Sequence, residues 1–159
     1  MSRIVAALIL VAVGCHGARS GNRLRANFSD GSAPIDTPSV DCTYDTVDQL
    51  LSCAGIEGMA GLGREVDISI FGGPAAHQSY TVGPTAKPYA TVALLDARVA
   101  DLASGPPQWS GVDGGVAVSI WDGTRVAFSY SATLRSSDMT ATTFTLSGDV
   151  TVLNVQTLR

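Results

Sequence analysis

Three cysteines, two histidines, one lysine and a scatter of aspartates are the chemically capable side chains of this 159-residue chain. A Ser–His–Asp triad would have to use His77, which lies in Ala75-Ala76-His77-Gln78 between chain breakers, and no G-x-S-x-G surrounds any serine. A hydrolase built on paired carboxylates needs two acids at a fixed separation. Asp96, Asp101, Asp113, Asp122, Asp138 and Asp149 each fall at an expected strand end or turn, where Asp is favoured for its backbone hydrogen bonds. His16 has no second metal-ligating residue at useful spacing, and no EF-hand pattern occurs, so no catalytic residue, metal or cofactor is assigned. The glycines of Gly55-Ile56-Glu57-Gly58-Met59-Ala60-Gly61-Leu62-Gly63 lack the Gly-Lys-Ser/Thr ending of a phosphate loop and read as a connection. Trp109, within Pro106-Pro107-Gln108-Trp109-Ser110-Gly111, is the one candidate binding residue. An aromatic on a Pro/Gly-rich loop stacks on a glycan or a protein partner, or else plugs one end of the fold.

Composition narrows the class of protein that could use these residues. Only 15% of the chain is charged, while 45% is hydrophobic and the net charge is −4. Soluble domains average about 25% charged residues, so the chain is charge-poor, yet it is too apolar to be wholly disordered. An acidic balance argues against nucleic acid, which demands a basic face. Length allows one domain.

The N-terminus carries the most specific signal. Met1-Ser2-Arg3 is followed by ten apolar residues, Ile4 to Val13, and then Gly14-Cys15. As a helix this run spans roughly 15 Å, about half a hydrocarbon layer, which suits a cleaved signal peptide over residues 1–14 and not a membrane span. Ala12-Val13-Gly14-Cys15 resembles the lipobox of bacterial lipoproteins, with Ala12 where Leu is commonest. The resemblance implies that Cys15 becomes the first residue and carries a diacylglycerol and further acyl chains such as palmitate. It also implies delivery to the outer membrane where the host has one, because His16 is not Asp. Plain secretion after cleavage at the same bond is the alternative.

Once Cys15 is taken by lipid, Cys42 and Cys53 remain as an even pair, and a disulfide between them suits an oxidising compartment. Metal or catalytic thiols are the competing assignment, and the nearby carboxylates make a poor zinc set.

Residues 16–39 are rich in Gly, Ser, Pro, Asn and Asp, which is linker composition, so residues 15–39 are expected to form a lipidated flexible tether. Its arginines, Arg19, Arg23 and Arg25, would lie near anionic headgroups or simply keep the spacer soluble. From residue 40 onward six basic side chains face twelve acids.

Residues 40–159 are expected to be an all-β domain. Thr46-Val47-Asp48-Gln49 fits a capping box and predicts a short helical turn before Cys53. Beyond residue 65 the period becomes two: Val66, Ile68 and Ile70 alternate with polar neighbours, and so do Val126, Phe128, Tyr130, Ala132 and Leu134. Asp122-Gly123 favours a type I′ hairpin between 116–121 and 124–134, and Ser147-Gly148-Asp149 reads as a turn or bulge. About eight short strands predict an antiparallel β-sandwich, with a closed β-barrel as the alternative. The succession GGP, SYT, ATV, Trp109, GVAVSI and F-x-L-S-G-x-V over about 65–155 resembles small β-sandwich lipoproteins of bacteria, which implies the fold more than any role.

The functional expectation is a cell-envelope lipoprotein, held to the lipid bilayer by acylated Cys15, whose non-enzymatic β-sandwich displays a binding or structural surface to an envelope protein or glycan. A hydrolase using loop carboxylates and His77 is one alternative, and a small-ligand-binding barrel is another.

Overall fold

The computed structural model describes residues 21–59, 62–83, 87–99, 106–137 and 142–159. The expected signal peptide, residues 1–14, and Cys15 lie outside these. The described residues form eleven strands: β1 (Arg23–Phe28), β2 (Ile35–Thr37), β3 (Val40–Asp45), β4 (Leu50–Glu57), β5 (Arg64–Phe71), β6 (Ser79–Thr81), β7 (Tyr89–Asp96), β8 (Gln108–Trp121), β9 (Val126–Ser136), β10 (Thr143–Val152) and β11 (Gln156–Leu158). A 3₁₀ turn, Ala97–Val99, follows β7. The protein is all-β, and ten strands follow one path, β11-β3-β4-β5-β7-β8-β9-β10-β1-β2, with β6 pairing β8. Neighbours along this path are antiparallel except β11 and β3, which are parallel.

Connectivity forces this sheet to curl. β2 ends the path and β3 lies next to its other end, yet only Pro38 and Ser39 join them. The two margins must therefore approach each other. Thr37 Oγ1 donates to the Ile56 carbonyl at 2.8 Å, and the Ile56 N–H donates to the Ser39 carbonyl at 2.9 Å. The Asn22 amide donates to the Val40 carbonyl (3.1 Å) while its oxygen accepts from the Leu153 N–H (3.0 Å), tying β1, β3 and the end of β10 together.

Period-two alternation fills the concave side, because successive side chains of a strand point to opposite faces. Val66, Ile68 and Ile70 of β5, and Val126, Phe128, Tyr130, Ala132 and Leu134 of β9, are all buried as the alternation predicts. Leu24, Leu51, Val92, Val116, Leu146 and Val150 join them in one core. Cys42 and Cys53 pair directly across β3 and β4, face the same core and are disulfide-bonded.

Several expectations are corrected. No helical turn precedes Cys53. The Asp45 carboxylate accepts the Val47 and Asp48 N–H groups at 2.8 and 3.1 Å, Gln49 takes a positive φ of 51°, and β4 begins at Leu50. A local Asx turn thus outcompetes the capping box, and inward alternation of Leu51, Cys53 and Gly55 makes the segment a strand. Residues 23–39 do not form the expected tether, since β1 lies inside the sheet between β10 and β2. Its inward residues Leu24 and Ala26 are fully buried, which outweighs the linker-like composition of their outward neighbours. Of Asp122-Gly123 only Gly123 has positive φ, so the hairpin is not type I′; Asp122 instead accepts the N–H groups of Thr124 and Arg125. Finally, Gly148 is no turn. It lies within β10, and a Cβ there would collide with the Arg25 carbonyl across the ladder.

Candidate functional site

Strand register gathers the aromatic residues at the two ends of the curled sheet. At the end where β5 begins, Phe144 contacts Phe28 (5.9 Å between centroids) and Trp109 (5.8 Å, edge-on). Trp109 is therefore not on a loop: it opens β8 opposite Leu94 and Ser136, is half-buried, and packs against the core. At the other end Tyr44 and Trp121 meet edge-on at 5.1 Å.

Arg64 belongs to the same end as Trp109, and sequence reasoning overlooked it. It is the first residue of β5, falls in phase with Val66, Ile68 and Ile70, and is only 2% exposed. Its guanidinium donates to both Glu57 carboxylate oxygens (2.7 and 2.9 Å) and to the carbonyls of Ala33 (2.6 Å) and Pro34 (3.3 Å). The guanidinium carbon also lies 5.0 Å from the centre of the Phe28 ring. A buried arginine with this many partners locks the β1–β2 connection onto β5.

On the convex face beside Trp109 a groove of about 170 Å³ is lined by Asp67, Ala93, Leu94, Leu95, Gln108, Trp109 and Ser110. Asp67 projects from β5 between Ala54 of β4 and Ala93 of β7, two methyl groups that offer its carboxylate nothing. Burial, reinforced by the negative charge of Glu65, pushes the Asp67 carboxyl up to about 7. A protonated carboxyl donates a hydrogen bond, whereas an ionised one only accepts. The groove therefore offers a switchable donor, the Gln108 amide and the Ser110 hydroxyl above the side chains of Ala93 and Leu95. A second groove, about 310 Å³, lies over Ser79, Gly115, Ala117, Ser129 and Ser131 and has no charged group in its lining.

The other residues singled out from the sequence are dispersed. His77 is exposed at a turn with φ of 63°, its N–H bonded to the Val118 carbonyl at 2.8 Å, and its imidazole meets no carboxylate among the described residues. Asp96 is buried and forms two hydrogen bonds with the Arg98 guanidinium (2.9 and 2.7 Å), which hold its carboxyl below the usual range. Asp113 caps Gly114 in the bulge of β8, and Asp122 is held low first by the Arg125 N–H and then by its guanidinium. Asp149, expected in a turn, sits within β10 and faces Arg25 at 3.8 Å. Asp101 and Asp138 lie outside the described residues. Among the described residues no three metal-capable side chains converge.

Neither a protein-family model, nor a curated protein, nor a solved structure matches this chain.

Proposed function

We propose that the protein is a lipid-anchored component of a bacterial cell envelope, whose all-β body presents a binding surface and performs no chemistry. The observation that carries this reading is the division of the cysteines. Cys42 and Cys53 are bonded in the core, which leaves Cys15 as the odd thiol directly after an apolar run and a small residue. Disulfides persist in exported proteins, and a thiol at the end of such a run is where a lipobox places its acylated cysteine. Several acyl chains, at about 0.8 kcal/mol per buried methylene, hold a protein firmly without a protein span.

The surface offered to a partner is the groove beside Trp109. Asp67, Gln108 and Ser110 supply hydrogen-bonding groups there, and Ala93 and Leu95 an apolar floor, which suits the alternating polar and apolar faces of a glycan or an extended envelope peptide. The finer architecture we assign is sandwich-like, with the two halves of the curled sheet packed over a side-chain-filled core, and not a ligand-enclosing barrel; the buried bulk of Phe128, Tyr130, Leu134 and Leu146 supports it.

Membrane fractionation tests the anchor. The full precursor, expressed in a lipoprotein-processing host, should sediment with membranes, and Cys15→Ser should shift it to the soluble envelope fraction. Equal sedimentation of both proteins would overturn the reading.

A further inference from the structure

Strand direction divides the molecule into two ends, and each exposes large apolar side chains. At the Arg64 end lie Phe28, Trp109, Phe144 and the turn carrying the exposed Met59 (71%) and Leu62 (66%). At the Phe71 end lie the 46–49 turn, the 122–125 turn, the entry to β1 and the exits of β10 and β11. Four large apolar side chains stand exposed there: Val47 (79%), Leu158 (50%), Ile120 (47%) and Leu153 (41%). Val47 and Leu158 are neighbours, since the Leu158 carbonyl accepts both the N–H and the hydroxyl of Thr46. Leu153 lies against Gly21 at the point where the chain enters the sheet. The half-buried rings of Tyr44 and Trp121 and the guanidinium of Arg125 complete this end.

The length of chain outside the described residues decides what covers it. Only residues 16–22 separate Cys15 from the first residue of β1. Even fully extended, eight residue steps reach about 28 Å at most. The ten steps of β9 span about 33 Å along the strand, so an anchor at Cys15 keeps the Phe71 end, and not the Arg64 end, close to the lipid. The geometry points to the Phe71 end as a bilayer-contacting surface. With Cys15 acylated, Val47, Leu153 and Leu158 seat at the level of the phospholipid headgroups, with Trp121 and Tyr44 just above. This rests on the acylated-anchor reading above. Isolated apolar side chains beside Trp, Tyr and Arg are the composition of an interfacial contact, shallow and non-spanning. It leaves the Trp109 groove, at the opposite end, facing away from the membrane.

The test uses the full mature chain, its acylation at Cys15 verified by intact mass. The chain is reconstituted in phosphatidylcholine/phosphatidylglycerol vesicles with brominated acyl chains. Val47→Trp and Met59→Trp place a reporter on an exposed turn at each end, and the quenching added to that of the parent protein is read. Interfacial seating predicts roughly five-fold or more added quenching for Val47→Trp over Met59→Trp, and Leu158→Glu in the Val47→Trp background should reduce it at least two-fold. Stronger quenching from residue 59, or none from either in vesicles that float with acylated protein, overturns the orientation while the anchor stands. A chain that carries no acyl group and does not float overturns both.

Discussion

Replacing Asp67 by Asn removes a charge from a place where none of the described residues offers it a partner. Its neighbours across the ladder are the methyl groups of Ala54 and Ala93, and Glu65 adds repulsion two residues away. A carboxyl raised from 3.8 to about 7 holds its proton more tightly in the folded than in the unfolded chain, so ionisation opposes folding. The sign follows: this penalty is absent below pH 4, grows as pH rises, and is complete above pH 7. At 1.36 kcal/mol per unit the ceiling is about 4 kcal/mol, and a groove open to water on one side reduces the realised effect to about 1–2 kcal/mol. Asp36, Asp96 and Asp122, whose carboxyls are lowered, act in the opposite sense, lending stability that is lost only as pH falls below the ordinary carboxyl range. Urea unfolding followed by tryptophan fluorescence between pH 4.5 and 8.5 isolates the window of Asp67. The parent protein should lose about 1–2 kcal/mol from the acid to the alkaline side, and Asp67→Asn should remove that slope and exceed the parent at pH 8.5. A parent whose stability is flat or rises across this window, or a variant with an unchanged slope, would refute the assignment of a desolvated carboxyl.

Three further outcomes follow from the packing. Arg64→Met, which leaves the Ala33 and Pro34 carbonyls and Glu57 without their donor, should lower unfolding free energy by about 3–5 kcal/mol; a loss under about 1 kcal/mol in chemical denaturation would show that the lock is dispensable. Paired Cys42→Ser and Cys53→Ser substitutions release a crosslink spanning 11 positions and should destabilise by about 3 kcal/mol, matched by a fall in melting temperature of the parent protein under reductant. Trp109→Ala should reduce stability by about 2–3 kcal/mol through its lost contact with Phe144, whereas Trp109→Phe should lose less than about 1 kcal/mol; equal stability of all three proteins would remove Trp109 from the core and make it a purely surface residue.

What the sequence discloses about this fold depends on how much of each element is decided locally. β5 and β9 were legible because one face of each is buried throughout, so Val66-Ile68-Ile70 and Val126 through Leu134 alternate without interruption. β1 was not, because only Leu24 and Ala26 are buried within a stretch whose outward residues, Arg23, Arg25 and Asn27, belong to a polar, glycine- and serine-rich run. Its strand character comes from pairing with β10, more than a hundred residues away. Gly55 and Gly148 looked like breakers, yet both lie within strands; a side chain on Gly55 would strike Leu24, and one on Gly148 would strike the Arg25 carbonyl. Asp67 reads as one more outward polar residue in EVDISIF. Its environment is made by Ala54 and Ala93, which register alone brings beside it. Arg64 was the missed opportunity, since it stands in phase with three buried apolar residues, and a charge in such a position signals a buried ion pair.

Intact-mass spectrometry of the protein purified from its own host addresses the anchored, extracytoplasmic reading most directly. A chain beginning at Cys15, heavier by its acyl groups and lighter by the two hydrogens of a Cys42–Cys53 bond, is the predicted species. A chain that retains residues 1–14, with no lipid on Cys15 and with both core thiols reduced, would contradict it.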